Sequence, residues 1–127
     1  MIILDHNIPR NQRQALRRLG LRTHQVGFEI GRPEWEDREE IVRYLHRQKH
    51  PTFFTRDVGF FQIRLCHASY CLVVLAGSVL QTAHDIRSFL RHPSFRTRKQ
   101  RMGAVVKLSP TGILVRRRRV HAAHVAW

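Results

Sequence analysis

The sequence predicts one α/β domain built on a mainly parallel sheet and closed by a C-terminal β-hairpin. Short apolar runs, IIL at 2–4, TFFT at 52–55 and YCLVVLAG at 70–77, are typical of buried strands. Between them apolar residues recur at helical spacing, and alternating strands and helices favour parallel strands joined by right-handed crossovers. Near the end of the chain, GAVVKLS and GILVRRR flank the turn sequence SPTG, which predicts the hairpin.

The first half of the chain begins with a strand, a helix and a second strand. After IIL, Pro9 suits the first turn of a helix, and Gly20 offers a left-handed stop at its end. RTHQVGF at 22–28 predicts the second strand, and EIGRPEWE at 29–36 carries the Gly and Pro of a loop. This order is the start of an alternating α/β chain.

Two more helices follow, each with a recognisable start. Asp37 and Glu40 form a pair resembling a capping box at the start of the second helix, and Pro51 ends that helix. Ser78 or Thr82 caps the third helix, which follows YCLVVLAG. The strand TFFT therefore lies between the second helix and the strongest strand in the chain.

The charge of the chain indicates a polyanionic partner. With 127 residues it has the size of one domain, and 23 Lys and Arg against 9 Asp and Glu give a formal net charge of +14. Nucleic acid fits best, because each phosphate neutralised by Lys or Arg releases condensed counterions. An anionic membrane surface and an acidic protein remain alternatives, since composition alone does not separate them.

The sequence shows no targeting segment and no disulfide pattern. MIILDHNIP lacks a basic region followed by a long apolar stretch, and no apolar run approaches the roughly 20 residues that span a bilayer. We therefore predict a cytoplasmic protein. Cys66 and Cys71 lie in or beside apolar segments without a Cys and His cluster, which favours reduced packing residues.

Two acids follow apolar strands and predict a site. Asp5 ends the first strand and Asp57 comes just after the third, and ligands of open α/β sheets bind beyond the carboxyl ends of the strands. Glu36 or Asp37 would join them. Clustered carboxylates need a compensating cation, and Mg²⁺ takes oxygen ligands together with substrate phosphates. Phosphodiester cleavage is the reaction to consider, although Asp5 also suits a turn and Asp37 a helix N-cap.

In their order along the chain, MIILDHNIP, WEDREEI, TFFTRDVGFF, YCLVVLAG and the basic hairpin resemble the small PIN-like domains of bacteria and archaea. Many of those domains are toxin ribonucleases of toxin–antitoxin pairs. The resemblance implies a three-layer α/β/α sandwich, bound Mg²⁺ or Mn²⁺, an RNA substrate and a cognate antitoxin. One position departs from the pattern, because Gly59 stands where many relatives carry a second Asp.

The resemblance also implies roles for individual residues. The catalytic, metal-binding acids would be Asp5, Asp57 and, in the middle position, Asp37 or Glu36. Asn7 would orient the site, and Thr55 would form a hydrogen bond near the Asp57 carboxylate. His6, next to Asp5, faces either the core or the pocket.

Basic residues in three places are candidates for holding nucleic acid. Three lie near the proposed scissile phosphate: Arg10, Arg13 and Arg56. Others belong to the basic loop at 94–101 or to the hairpin: Arg96, Arg98, Lys99, Arg101, Arg116 and Arg118. His121 and His124 are assigned to a floppy or packed tail.

Three functional hypotheses follow. The first is a Mg²⁺-dependent endoribonuclease, the toxin of a toxin–antitoxin pair, which acts alone or as a homodimer. The second, supported by Gly59, is a PIN-like module with weakened or lost chemistry that binds nucleic acid or a partner, because fold does not guarantee function. A receiver-like domain ranks third, because no adjacent acidic pair follows the first strand.

Overall fold

The computed structural model describes residues 1–31 and 38–127, so the predictions for Glu36 and Asp37 lie outside the described residues. Strands and helices alternate along most of the chain. In order they are β1 (Ile2–Leu4), α1 (Arg10–Arg18), β2 (Thr23–Gln25), α2 (Arg38–His46), β3 (Thr52–Thr55), β4 (Cys71–Leu75), α3 (Thr82–Arg91), α4 (Arg98–Arg101), β5 (Val105–Ser109), β6 (Gly112–Arg117) and β7 (Val120–Val125).

The described strands form one seven-stranded sheet in the order β2-β1-β3-β4-β5-β6-β7. The pairs from β2 to β5 are parallel, and β6 pairs antiparallel with both β5 and β7. The predicted α/β class, the mainly parallel sheet and the β5–β6 hairpin are therefore confirmed. The chain leaves β1 toward one side of the sheet and returns to β3 on the other, so the strand order reverses between β1 and β3.

Helices cover both faces of the sheet. Consecutive strand residues point to opposite faces, so neighbouring residues of one strand pack against different helices. Leu4 packs in one buried cluster with Leu16 of α1 and Phe89 of α3. Ile3 packs in a second buried cluster, which contains Ile41 of α2. In residues 1–31 and 38–127, no helix combines the length and the apolar character needed to cross a bilayer.

The segment after β3 turns back into the core. A 3₁₀ turn at Val58–Phe60 begins where the Asp57 side chain accepts a hydrogen bond from the backbone N–H of Gly59. Phe60 is 1% exposed, and its ring centroid lies 5.3 Å from that of Phe53 on β3. Burial of Phe60 therefore fixes the position of Asp57 at the carboxyl end of the strand.

The first helix ends as predicted, but the cap of the third helix, the second strand and the basic loop differ from the predictions. Ser78 caps a 3₁₀ turn at Val79–Gln81, and α3 begins after Gln81 without a side-chain cap. Gly20 has φ of +80°, the left-handed conformation expected after α1. The second strand is shorter than 22–28 and covers only Thr23–Gln25. The basic loop at 94–101 contains α4, which begins at a complete capping box between Thr97 and Gln100.

The predicted floppy or packed tail is instead β7, an ordered edge strand. Its residues are exposed except for Val125, which is half-buried. It is held by pairing with β6, including the pairs Leu114 with His124 and Val115 with Ala123. The prediction failed because a strand exposed on both faces carries no apolar alternation in its sequence.

Candidate functional site

Asp5 follows β1 at the carboxyl edge of the sheet and is 1% exposed. Its backbone N–H donates to Phe54 O at 2.8 Å, which continues the pairing with β3. Its Oδ2 accepts from Thr55 Oγ1 at 2.6 Å and from Asn7 Nδ2 at 3.4 Å. Its Oδ1 accepts from the backbone N–H of His6 and lies 2.8 Å from His6 Nδ1. Contacts to both oxygens compensate the burial of this carboxylate.

Thr55 connects the two predicted acids. Its hydroxyl is fully buried, donates to Asp5 and accepts from the backbone N–H of Asp57 at 3.0 Å. Asn7 reaches the same hydroxyl through Nδ2 at 3.3 Å, and its Oδ1 accepts from the backbone N–H of Arg56 at 3.1 Å. The structure thus brings Asp5, Asn7, Thr55 and Asp57 together in one hydrogen-bonded network.

Asp57 is the acid of this network that solvent reaches. Its side chain is 40% exposed, and Oδ1 accepts from the backbone N–H of Gly59 at 2.9 Å. Oδ2 lies 3.5 Å from Nη1 of Arg38, whose side chain is also 40% exposed. An ion pair this long and this exposed contributes at most about 1 kcal/mol to stability. One oxygen of Asp57 is therefore only weakly engaged.

Gly59 provides the space that the Arg38 guanidinium occupies. A Cβ added at Gly59 would collide with Arg38 Nη1 and lie 3.0 Å from Asp57 Oδ1. At the position where the PIN-like pattern carries a second acid, this chain therefore places a cation beside Asp57. The sequence analysis did not single out Arg38, because nothing in WEDREEI links this basic residue to Asp57.

Arg56 is already engaged in loop contacts. Its Nη2 donates to Gly77 O at 2.7 Å, and its Nη1 lies 3.4 Å from Thr82 Oγ1. These contacts tie the loop after β3 to the segment between β4 and α3. In the described structure the Arg56 guanidinium connects these two segments beside the acids and is not free to bind a phosphate.

Arg10 and Arg13 line a pocket of about 450 Å³ beside His6. Arg13 forms an ion pair with Glu29, and its guanidinium carbon lies 5.2 Å from the centroid of the Phe28 ring. These two arginines therefore share a pocket with His6, the neighbour of Asp5 in the sequence.

The remaining basic candidates lie at the opposite edge of the sheet from the acids, where the parallel strands begin. Arg101 donates from Nε to Thr52 Oγ1 at 3.0 Å, at the start of β3, and Arg116 pairs with Val105 at the start of β5. Burial lowers the pKa of Arg101. The four candidates of this edge that are exposed to solvent are Arg96, Arg98, Lys99 and Arg118. Strands of this length separate the two edges by roughly 10–15 Å.

The structure bears on the predicted metal site in two ways. In residues 1–31 and 38–127, no three His, Cys, Asp or Glu side chains group as metal ligands. Two carboxylate oxygens nevertheless have a side-chain partner that is at least one-third exposed: Asp5 Oδ1 with His6 and Asp57 Oδ2 with Arg38. Hard oxygen donors of this kind suit Mg²⁺ or Mn²⁺.

Both cysteines are buried and free, as predicted for packing residues. Burial raises the pKa of the Cys71 thiol to about 12 and also raises that of Cys66. Neither thiol is therefore a reactive nucleophile near neutral pH.

Comparison with known proteins gives no relative for this chain. No family model matches it, and neither does any curated protein or solved structure.

Proposed function

We propose that the chain is a PIN-like, Mg²⁺- or Mn²⁺-dependent endoribonuclease. The observation that carries the proposal is the shared hydroxyl of Thr55, which bonds to the Asp5 carboxylate and to the backbone of Asp57. These two acids follow adjacent parallel strands at the point where strand order reverses, which is where open α/β sheets bind ligands.

Asp5 and Asp57 would hold the metal, with Asp37 or Glu36 as the middle acid. When bound, the ion would supply an activated water and stabilise charge on the phosphodiester. Thr55 and Asn7 keep the two strand ends in register, so that the carboxylates are pre-positioned. His6 and Arg38 each contact one carboxylate oxygen and would release that oxygen to the metal.

The substrate and partners follow from charge and resemblance. A net charge of +14 suits RNA, with Arg10 and Arg13 near the acids and the opposite basic edge contacting phosphates farther along. As the toxin of a toxin–antitoxin pair, the chain would act in the cytoplasm and bind a cognate antitoxin. Among the strands that the structure describes, none pairs with the outer side of β7, and this is the surface where an antitoxin strand or a second copy would add to the sheet.

A nuclease assay tests this function. Single-stranded RNA is incubated with Mg²⁺ or Mn²⁺ and the wild type, Asp57→Asn or Asp85→Asn. Asp85, in the first turn of α3, is a matched control outside the network. We expect cleavage by the wild type and by Asp85→Asn, with a loss of roughly 100-fold or more in Asp57→Asn, the scale of losing one pre-organised electrostatic contact. Cleavage unchanged in Asp57→Asn would refute the assignment.

The second candidate is a PIN-like module that binds RNA or a protein partner without cleavage. The observation that favours it is Arg38, which lies over Gly59 and pairs with Asp57 where a further acid would otherwise stand. This candidate predicts RNA binding that weakens as salt rises and no cleavage with any divalent ion. The same assay, run beside a binding measurement, separates the two functions.

A further inference from the structure

Phe28 is 65% exposed, although it belongs to a tightly bonded loop. Its backbone N–H donates to Gln25 O at 3.1 Å, and the N–H of Gly27 donates to Ile30 O at 2.8 Å. Gly27 has φ of +87°, a conformation that glycine adopts without strain. The loop therefore holds the Phe28 backbone in a defined conformation, and the exposed ring has the Arg13 guanidinium carbon 5.2 Å from its centroid.

The ring borders the pocket beside His6. The pocket has a volume of about 450 Å³, within the range of small-ligand sites. Besides Phe28, the lining includes His6, Pro9, Arg10, Arg13 and Gln14. A flat aromatic ring next to guanidinium, imidazole and amide groups provides a stacking surface together with polar partners for a base and a phosphate.

The charge at the pocket favours an anion. Arg13 and Arg17 share one carboxylate, that of Glu29. Arg10 is exposed, and no ion pair involves it in residues 1–31 and 38–127. Three arginines therefore line the pocket, and the carboxylate of Glu29 pairs with two of them, which leaves excess positive charge.

The pocket adjoins the acids through one residue. His6 lines the pocket, and its Nδ1 lies 2.8 Å from Asp5 Oδ1. A nucleotide in the pocket would therefore have a neighbouring phosphate next to the Asp5 network.

We propose that this pocket binds one nucleotide of single-stranded RNA, with its base stacked on Phe28 and its phosphate contacted by Arg10. The proposal rests on the proposed function, for which it names the position of the substrate beside the acids. It commits to a single strand because bases paired within a duplex do not offer a face for stacking in a pocket.

The test is RNA binding without cleavage. A fluorescently labelled single-stranded oligoribonucleotide is titrated by anisotropy, in EDTA, with the wild type, Phe28→Ala, Phe28→Trp and Leu80→Ala. Leu80 is 70% exposed in the segment before α3 and serves as a matched control. Because Phe28 is exposed, its substitution should leave the protein folded. Thermal unfolding of each variant verifies this.

We expect Phe28→Ala to weaken binding about tenfold, the scale of one lost base–aromatic stack, while Phe28→Trp and Leu80→Ala bind as the wild type does. Arg10→Ala should lower the slope of log affinity against log salt by about one. Duplex RNA should bind Phe28→Ala and the wild type equally. Equal binding of the single strand by Phe28→Ala and the wild type, or no binding by either, overturns the proposal.

This outcome is separable from that of the nuclease assay. Binding that depends on Phe28, with no metal-dependent cleavage, would support the pocket and refute the nuclease. Cleavage that depends on Asp57, with binding indifferent to Phe28, would do the reverse.

Discussion

Thr55 Oγ1 donates a hydrogen bond to Asp5 Oδ2 at 2.6 Å, from the end of β3 to the end of β1. Both residues are buried, and the same hydroxyl accepts from the backbone N–H of Asp57. The bond therefore joins the buried acid of the site to the loop that carries the exposed one.

Removal of this hydroxyl should destabilise the protein without changing its shape. Thr55→Val keeps a branched side chain, but it removes a donor from Asp5 and an acceptor from the N–H of Asp57. We expect a loss of about 1–3 kcal/mol in the free energy of unfolding, measured in urea. Thr55→Ser keeps the hydroxyl and should lose less; equal losses in the two variants would contradict the role of this bond.

The Arg38–Asp57 contact should limit metal binding rather than support the fold. Because the pair is half-exposed and 3.5 Å long, we expect Arg38→Ala to change the free energy of unfolding by less than about 1 kcal/mol. Removal of the competing cation should tighten Mg²⁺ binding several-fold by calorimetry. Arg43→Ala, an exposed arginine of the same helix, is the control, and an equal gain in both variants would show only a general charge effect.

Substitution of Gly20 at the end of α1 should affect stability only through the backbone conformation of that residue. Gly20 has φ of +80°, and a Cβ added there would meet no atom within 4 Å. Gly20→Ala should therefore lower the free energy of unfolding by about 1 kcal/mol through backbone strain, and Gly20→Asn by less. Thermal unfolding of the two variants measures the difference. A fully stable Gly20→Ala would show that the left-handed conformation is not required there.

The buried thiol of Cys71 should make the protein less stable in alkali. Its pKa is raised from 9.0 to about 12 in the folded chain, so the unfolded chain loses this proton first. The stabilisation is complete below pH about 9 and is lost as pH rises from there toward 12. The slope should reach about 1.4 kcal/mol per pH unit.

Urea unfolding of the wild type and Cys71→Ala at pH 8 and about pH 10.5, with reductant present, measures this contribution. Cys71→Ala should be less stable at pH 8 because of lost packing, but its stability should fall less between the two pH values. Parallel decreases in the two proteins would assign the alkaline loss to other groups, such as Tyr70, whose pKa burial also raises.

The sequence predicted the centre of the fold better than its margins. The runs at 2–4, 52–55 and 70–77 are apolar because parallel strands are buried on both faces. A continuous apolar run can be recognised in the sequence without knowledge of the segments that pack against it. The strand β7 carries no such signal, since it is exposed and is held by backbone pairing with β6. Helix α4 has four residues and depends on the Thr97 cap rather than on an apolar stripe.

The candidate site shows the same division. Asp5, Asn7, Thr55 and Asp57 come together because the carboxyl ends of adjacent parallel strands meet, a rule that sequence order alone can apply. The Arg38 contact could not be predicted, because it depends on the missing Cβ of another segment. The exposure of Phe28 likewise could not be predicted, because it depends on the conformation of the loop that follows β2.

Mn²⁺ binding followed by electron paramagnetic resonance tests the central claim most directly. If Asp5 and Asp57 share a divalent ion, the wild type and Asp85→Asn should each bind one strongly held Mn²⁺ per chain, and Asp57→Asn should lose that site. The same Mn²⁺ affinity and stoichiometry in all three proteins would contradict the claim that these two acids form a metal site.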